Sequence, residues 1–222
     1  MMLFNRNLWI ALCLCLQING YAQSEKDMRI IPLKTGENPR TSFKDFTLEP
    51  AQLFIQSDPI DQNSPQIQLE LNIVKNDNTY TTFLWYYETS SDAIKTNYPK
   101  AYRNYSFSLK VDKQDVQLVV ETLDFENSMF IDLGQTAVIE NLKMTYETCV
   151  GESSIAINGQ EEASFNTYTL SLADEDSQKT ISFTSIPIQN GKATWITWKT
   201  YKVFILAASE DALKLKVSKT DL

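Results

Sequence analysis

From Phe43 onward, apolar and polar residues alternate one for one along most of this chain, and that period restricts the fold more than any other feature. Ile67, Leu69, Leu71 and Ile73 are separated by Gln68, Glu70 and Asn72, the pattern of a strand with one dry face and one wet face. Tyr105, Phe107, Leu109 and Val111 repeat it. Val138, Leu142, Met144 and Tyr146 fall on one parity of the long segment 136–148, with Glu140 as the polar interruption of that row. The segment 116–123 fits a helical stripe as well as a strand. Its Val119-Val120 pair favours the strand, because β-branched side chains lose rotamer freedom in a helix.

Turn chemistry marks where these runs reverse. Asn158-Gly159 and Asn190-Gly191 suit the positive φ angles of tight hairpins. The second pair predicts a two-residue loop in which Ile188 faces Ala193 and Ile186 faces Trp195. Unbroken alternation then sends Trp195 and Trp198 to opposite faces, unless a bulge near Thr197 brings them together. Asn76-Asp77-Asn78, Asp174-Glu175-Asp176-Ser177 and Ser209-Glu210-Asp211 read as further hairpin tips. A succession of short strands without intervening helices predicts an all-β protein, an antiparallel β-sandwich forming one domain over residues 43–222. Residues 24–42 read as an extended N-terminal arm in which Ile30, Ile31 and Leu33 are able to form a short edge strand. The acidic stretch 124–127 is the one point at which a two-domain chain would divide, and no repeat of fixed period is visible.

Residues 1–23 have the three parts of a secretory leader: Arg6, the apolar run from Leu8 to Leu16, and a polar end at Tyr21-Ala22-Gln23. The run is about half the roughly 20 residues a membrane-spanning helix needs, so cleavage near Gln23 and a periplasmic or extracellular location are expected. Cys13 and Cys15 follow leucines rather than small residues, which argues against a lipid anchor. Without the leader one cysteine remains, Cys149, so no internal disulfide is expected and the thiol reads as a small buried hydrophobe.

Composition removes whole classes of chemistry. The 222 residues include no histidine, which excludes an imidazole base and any imidazole metal ligand. The formal charge is −8, and no basic run reaches five residues, so nucleic acid and other polyanions are not expected partners. Gly151-Glu152-Ser153-Ser154-Ile155 lacks the closing glycine of a nucleophile elbow, and Gly191-Lys192-Ala193 lacks the rest of a phosphate loop. Carboxylates alone would suffice for glycoside hydrolysis, which keeps a two-acid hydrolase as one reading. Oxygen-rich loops at Asp174-Glu175-Asp176 and at Asp58 and Asp61 match no strict calcium spacing, so neither a metal nor a cofactor is expected.

Aromatic residues carry the most specific lead. Phe83, Trp85 and Tyr87 occupy one parity of a run whose other parity holds Tyr80, Leu84 and Tyr86, so both faces of this strand are apolar. One face belongs to a core, and the other is either covered by a second layer or presented as an aromatic platform. The stretch 95–105 adds Tyr98, Tyr102, Lys100 and Arg103 and reads as a contact loop beside it. The predicted ligand-binding residues are therefore Trp85, Tyr87, Tyr98, Tyr102, Arg103 and Trp198. The expected function is that of a non-catalytic exported binding module for a glycan or an envelope protein. An envelope assembly component using strand edges and a carboxylate hydrolase are the alternatives.

Overall fold

A computed structural model of the protein describes residues 28–57, 65–89, 94–112, 115–155, 161–189 and 194–220. Residues 1–23, which the sequence reads as a leader, both Asn-Gly pairs, and Asp58 and Asp61 lie outside these residues. The described chain is almost wholly strand, in three sheets packed face to face as an all-β, sandwich-like fold.

The chain runs through one plan twice. It starts with β1 (Met28–Leu33) and a five-stranded meander: β2 (Thr41–Phe43), β3 (Phe46–Ser57), β4 (Pro65–Lys75), β5 (Asn78–Thr89) and β6 (Ile94–Asn97). Then β7 (Lys100–Tyr102), β8 (Tyr105–Asp112) and β9 (Asp115–Thr122) turn back until β9 pairs antiparallel with β1. The second pass opens on β10 (Ser128–Asp132), followed by a four-stranded meander of β11 (Thr136–Ile139), β12 (Leu142–Ile155), β13 (Glu161–Ala173) and β14 (Gln178–Thr184). After the short α1 (Ser185–Gln189), β15 (Thr194–Trp198), β16 (Tyr201–Ala208) and β17 (Ala212–Lys219) return until β17 pairs antiparallel with β10. The two passes meet at one parallel pairing, Lys100 with Phe130, which makes a continuous eight-stranded sheet in the order β1-β9-β8-β7-β10-β17-β16-β15. The junction in sequence is the loop 123–127.

The two meanders cover opposite faces of this long sheet. Strand β7 shows it directly: Ala101 is fully buried in the second core, while Lys100 and Tyr102, on the other parity, pair with Phe107 and Tyr105 of the first. The pairings make β1 and β10 run in opposite directions, so a second half of the same hand must place its meander on the other side. Each half has its own core. In the first, Ile67, Leu69, Leu71, Ile73 and Leu84 of the meander meet Phe107, Leu109, Leu118 and Val120. In the second, Leu142, Met144, Tyr146, Leu170 and Leu172 meet Met129, Ile131, Val203, Leu213 and Leu215. Each such side chain contributes about 1.5–3 kcal/mol by leaving water.

Several local expectations change. Ser185–Gln189 is helical, β14 and β15 belong to different sheets, and Trp195 pairs with Phe204, so the hairpin facing Ile186 to Trp195 does not form. Pro187 has no N–H for a ladder but is tolerated in a helix's first turn, and Ile188 packs on the second core. Glu140 is a turn residue with φ +51° joining β11 to β12, so Ala137 and Ile139, rather than Val138, point inward. The expected contact loop at 95–105 contains β6 and β7, the crossover between two sheets. The short edge strand open to Ile30, Ile31 and Leu33 in the 24–42 arm does form, as β1 at the edge of the long sheet, with Ile31 and Leu33 buried in the first core. Cys149 is half-buried against the second core rather than fully enclosed.

Candidate functional site

Because the meanders lie on opposite faces, the first meander ends as a step above the uncovered face of β10, β17, β16 and β15. Strand β5 forms the rise of that step. From Thr79 to Trp85 it pairs with β4 on one side only, and the hydroxyls of its Tyr80 and Thr82 reach Asp132 at the end of β10. The step does not close, because β7 is three residues long and touches β10 at a single pair. A cleft of about 650 Å3 remains, walled by Tyr80, Phe83 and Trp85 of β5 and by Lys100, Asp132 and Asp211.

Strand alternation directs Tyr80, Thr82, Leu84 and Tyr86 inward and leaves Phe83, Trp85 and Tyr87 facing out. Phe83 is 42% exposed, and Trp85 and Tyr87 are half-buried, stacked with centroids 6.0 Å apart and planes 3° from parallel. Tyr98, in the β6–β7 turn, meets Tyr87 edge-on at 6.1 Å and Phe130 of β10 at 5.2 Å. A continuous aromatic row thus descends from the outer face of the first meander to the open face of the second half.

Asp132 locks the base of the step. Its carboxylate accepts hydrogen bonds from the Tyr80 hydroxyl, from the Thr82 hydroxyl at 2.8 Å and from the Lys100 ammonium. Burial, and then the Asp132 charge, push the Tyr80 phenol far above its ordinary range, so it stays a neutral donor. Asp211 also lines the cleft, which puts two acids there. Asp132, with both oxygens engaged by three donors, is a structural clasp rather than a free acid or base.

Of the six residues singled out from sequence, Trp85, Tyr87 and Tyr98 come together in the aromatic row. Tyr102 stacks on Tyr80 with centroids 5.4 Å apart and packs edge-on against Phe46, behind the row. Arg103 faces a separate cleft of about 630 Å3 beside Gln135, Thr136 and Glu140, where its backbone at φ +55° bonds to Thr136 and Val138. Trp198 is 9% exposed and packs on Tyr201 in the second core. Alternation through β15 is unbroken, so Trp198 is inside and Trp195, 53% exposed, outside.

The oxygen-rich loop at 174–177 is satisfied internally. Asp174 accepts the backbone N–H groups of Asp176 and Ser177 and pairs with the Lys199 ammonium. Among the described residues no group of three or more acids and cysteines is arranged to hold a metal ion.

Sequence reasoning placed Lys100 in the 95–105 loop but missed Phe130, Asp132 and the open face beyond them, which reach the row through the β7–β10 seam. No family model, curated protein or solved structure matches this chain.

Proposed function

We propose that the protein is a non-catalytic, exported binding module that holds a glycan chain along the step, with Trp85, Tyr87, Tyr98 and Phe130 as stacking platforms. The observation that carries this reading is the aromatic row, partly exposed and continuous over two strands and a turn, beside an open cleft. Aromatic faces left accessible in a concave site stack on the apolar faces of sugar rings, and nearby polar groups orient the hydroxyls. The commitment of Asp132 to Tyr80, Thr82 and Lys100 supports binding over hydrolysis. The leader-like sequence pattern at 1–23 supports export. Titration with a glycan panel, followed by tryptophan fluorescence, tests the reading. Trp85→Ala is expected to weaken the best ligand at least tenfold while leaving the urea midpoint within the range of a surface change, and undiminished affinity would refute it.

A further inference from the structure

The floor of the step carries a feature that the sequence conceals. Lys214 and Lys216 of β17 and Lys202 of β16 lie on the uncovered face, with Lys100 of β7 at its edge, interleaved with the rings of Phe130, Phe204 and Trp195. The ladder register aligns them: Phe130 opposes Lys214, Phe204 opposes both Lys216 and Trp195, and Lys202 opposes Thr197. The Lys202 ammonium lies 4.7 Å from the Trp195 ring and 4.9 Å from Phe204, Lys216 is 5.6 Å from Phe204, and Lys214 and Lys100 are 5.5 and 5.8 Å from Phe130. Two of these charges are already matched, Lys100 by Asp132 and Lys216 by Glu126. Among the described residues, Lys202 and Lys214 form no ion pair with a carboxylate. A chain with eight more acidic than basic residues has thus gathered a cationic, ring-bearing surface in one place, from lysines that are scattered through the sequence.

We infer that this floor, continuing the aromatic row through Phe130, selects an anionic polysaccharide, with Lys202 and Lys214 receiving its acidic groups and Trp195 and Phe204 supporting its rings. The inference rests on the glycan-binding reading above and adds the charge of the ligand. Charge complementarity favours an acidic chain, and the exposed ring of Trp195 beside the half-buried Phe204 favours sugars over a bare polyanion, for which lysines alone would suffice.

Binding is measured by calorimetry for a panel of acidic glycans (oligogalacturonate, oligoalginate, hyaluronate and chondroitin sulfate), for carboxyl-reduced oligogalacturonate, and for a single-stranded DNA oligonucleotide. The expected result is binding of at least one acidic glycan, at least tenfold weaker binding of neutral chains, and a tenfold loss in the K202Q/K214Q double variant. The variant is also expected to lose most of the salt dependence, because exposed charges are screened within about 10 Å at 0.1 M salt. Both lysines are partly exposed, and an unchanged urea midpoint will show that the variant is folded. Failure of every acidic glycan to bind, equal binding of the reduced chain or of DNA, or a double variant that binds like the parent would each overturn the inference. If the double variant binds like the parent while Trp85→Ala loses affinity, the glycan reading survives and only the charge selection falls. If Trp85→Ala is silent while the lysine variant fails, the floor binds the acidic chain without the row.

Discussion

Asp132 illustrates how one side chain can join two halves of a sheet. Its three donors come from β5 and β7 of the first half, and it stands at the end of β10 in the second. Replacing it with alanine leaves the nearly buried Thr82 hydroxyl, the Tyr80 phenol and the Lys100 ammonium without their acceptor. The expected loss is about 3 kcal/mol, measured as a fall in urea midpoint at constant slope, because breaking an enclosed pair strands the remaining charge. Asp174 makes a second, pH-dependent case. The Lys199 ammonium, and then the backbone N–H groups of Asp176 and Ser177, hold its carboxyl down to about 2. A folded pKa below the unfolded value of about 3.9 means that the stabilisation is present above pH 4 and is lost as pH falls toward 2. Asp174→Asn is expected to flatten the stability profile between pH 4 and 2 and to leave calcium without effect on the melting temperature.

At the level of elements, legibility followed locality. Hairpins closed by their own turn chemistry could be read directly. Asn76 and Asp77 adopt φ +48° and +62° between Lys75 and Asn78, a tight turn joining the two most regular strands of the first meander. Asp77→Gly removes the left-handed strain at a residue with a Cβ, and is expected to stabilise the protein by about 0.5–1 kcal/mol in chemical denaturation. An unchanged or lower midpoint would show that Asp77 is already compensated there. The inward and outward parities of β5 were equally legible, since alternation alone separates Leu84 and Tyr86 from Trp85 and Tyr87. Where pairing was non-local, the sequence carried little. Lys-Ala-Tyr of β7 is too short to show a period, so the seam strand was read as loop, and Phe130 had no signal linking it to Tyr98. The Asn190-Gly191 signal predicted a hairpin and lies outside the described residues, but the segment before it, Ser185–Gln189, is a helix with Ile188 packed on the second core rather than the strand such a hairpin needs. The floor lysines had one local trace, Lys214 and Lys216 two residues apart on one strand face; a search for consecutive basic residues overlooks that spacing.

At the scale of the molecule, the step exists because one topology is used twice with its meanders on opposite faces. The halves are held by the Lys100–Phe130 pairing, the backbone bonds of Arg103 to Thr136 and Val138, the Asp132 clasp and Ala101, which is 1% exposed and sits in the second core although it belongs to a first-half strand. Two separate cores linked by so narrow a seam are coupled only as strongly as that seam. Ala101→Met forces a longer side chain into a filled site at the junction, an overpacking that costs about 1–3 kcal/mol, and the damage falls on the seam and second core while the first core is untouched. The parent protein is expected to unfold in one transition that coincides by far-ultraviolet dichroism and tryptophan fluorescence. In the variant the Trp198 environment is expected to be lost at lower urea than that of Trp85, resolved by comparing Ala101→Met in Trp85→Phe and Trp198→Phe backgrounds. A single shifted transition common to both backgrounds would show that the two sandwiches fold only as a unit, and that the step is a rigid surface rather than a junction between two separable bodies.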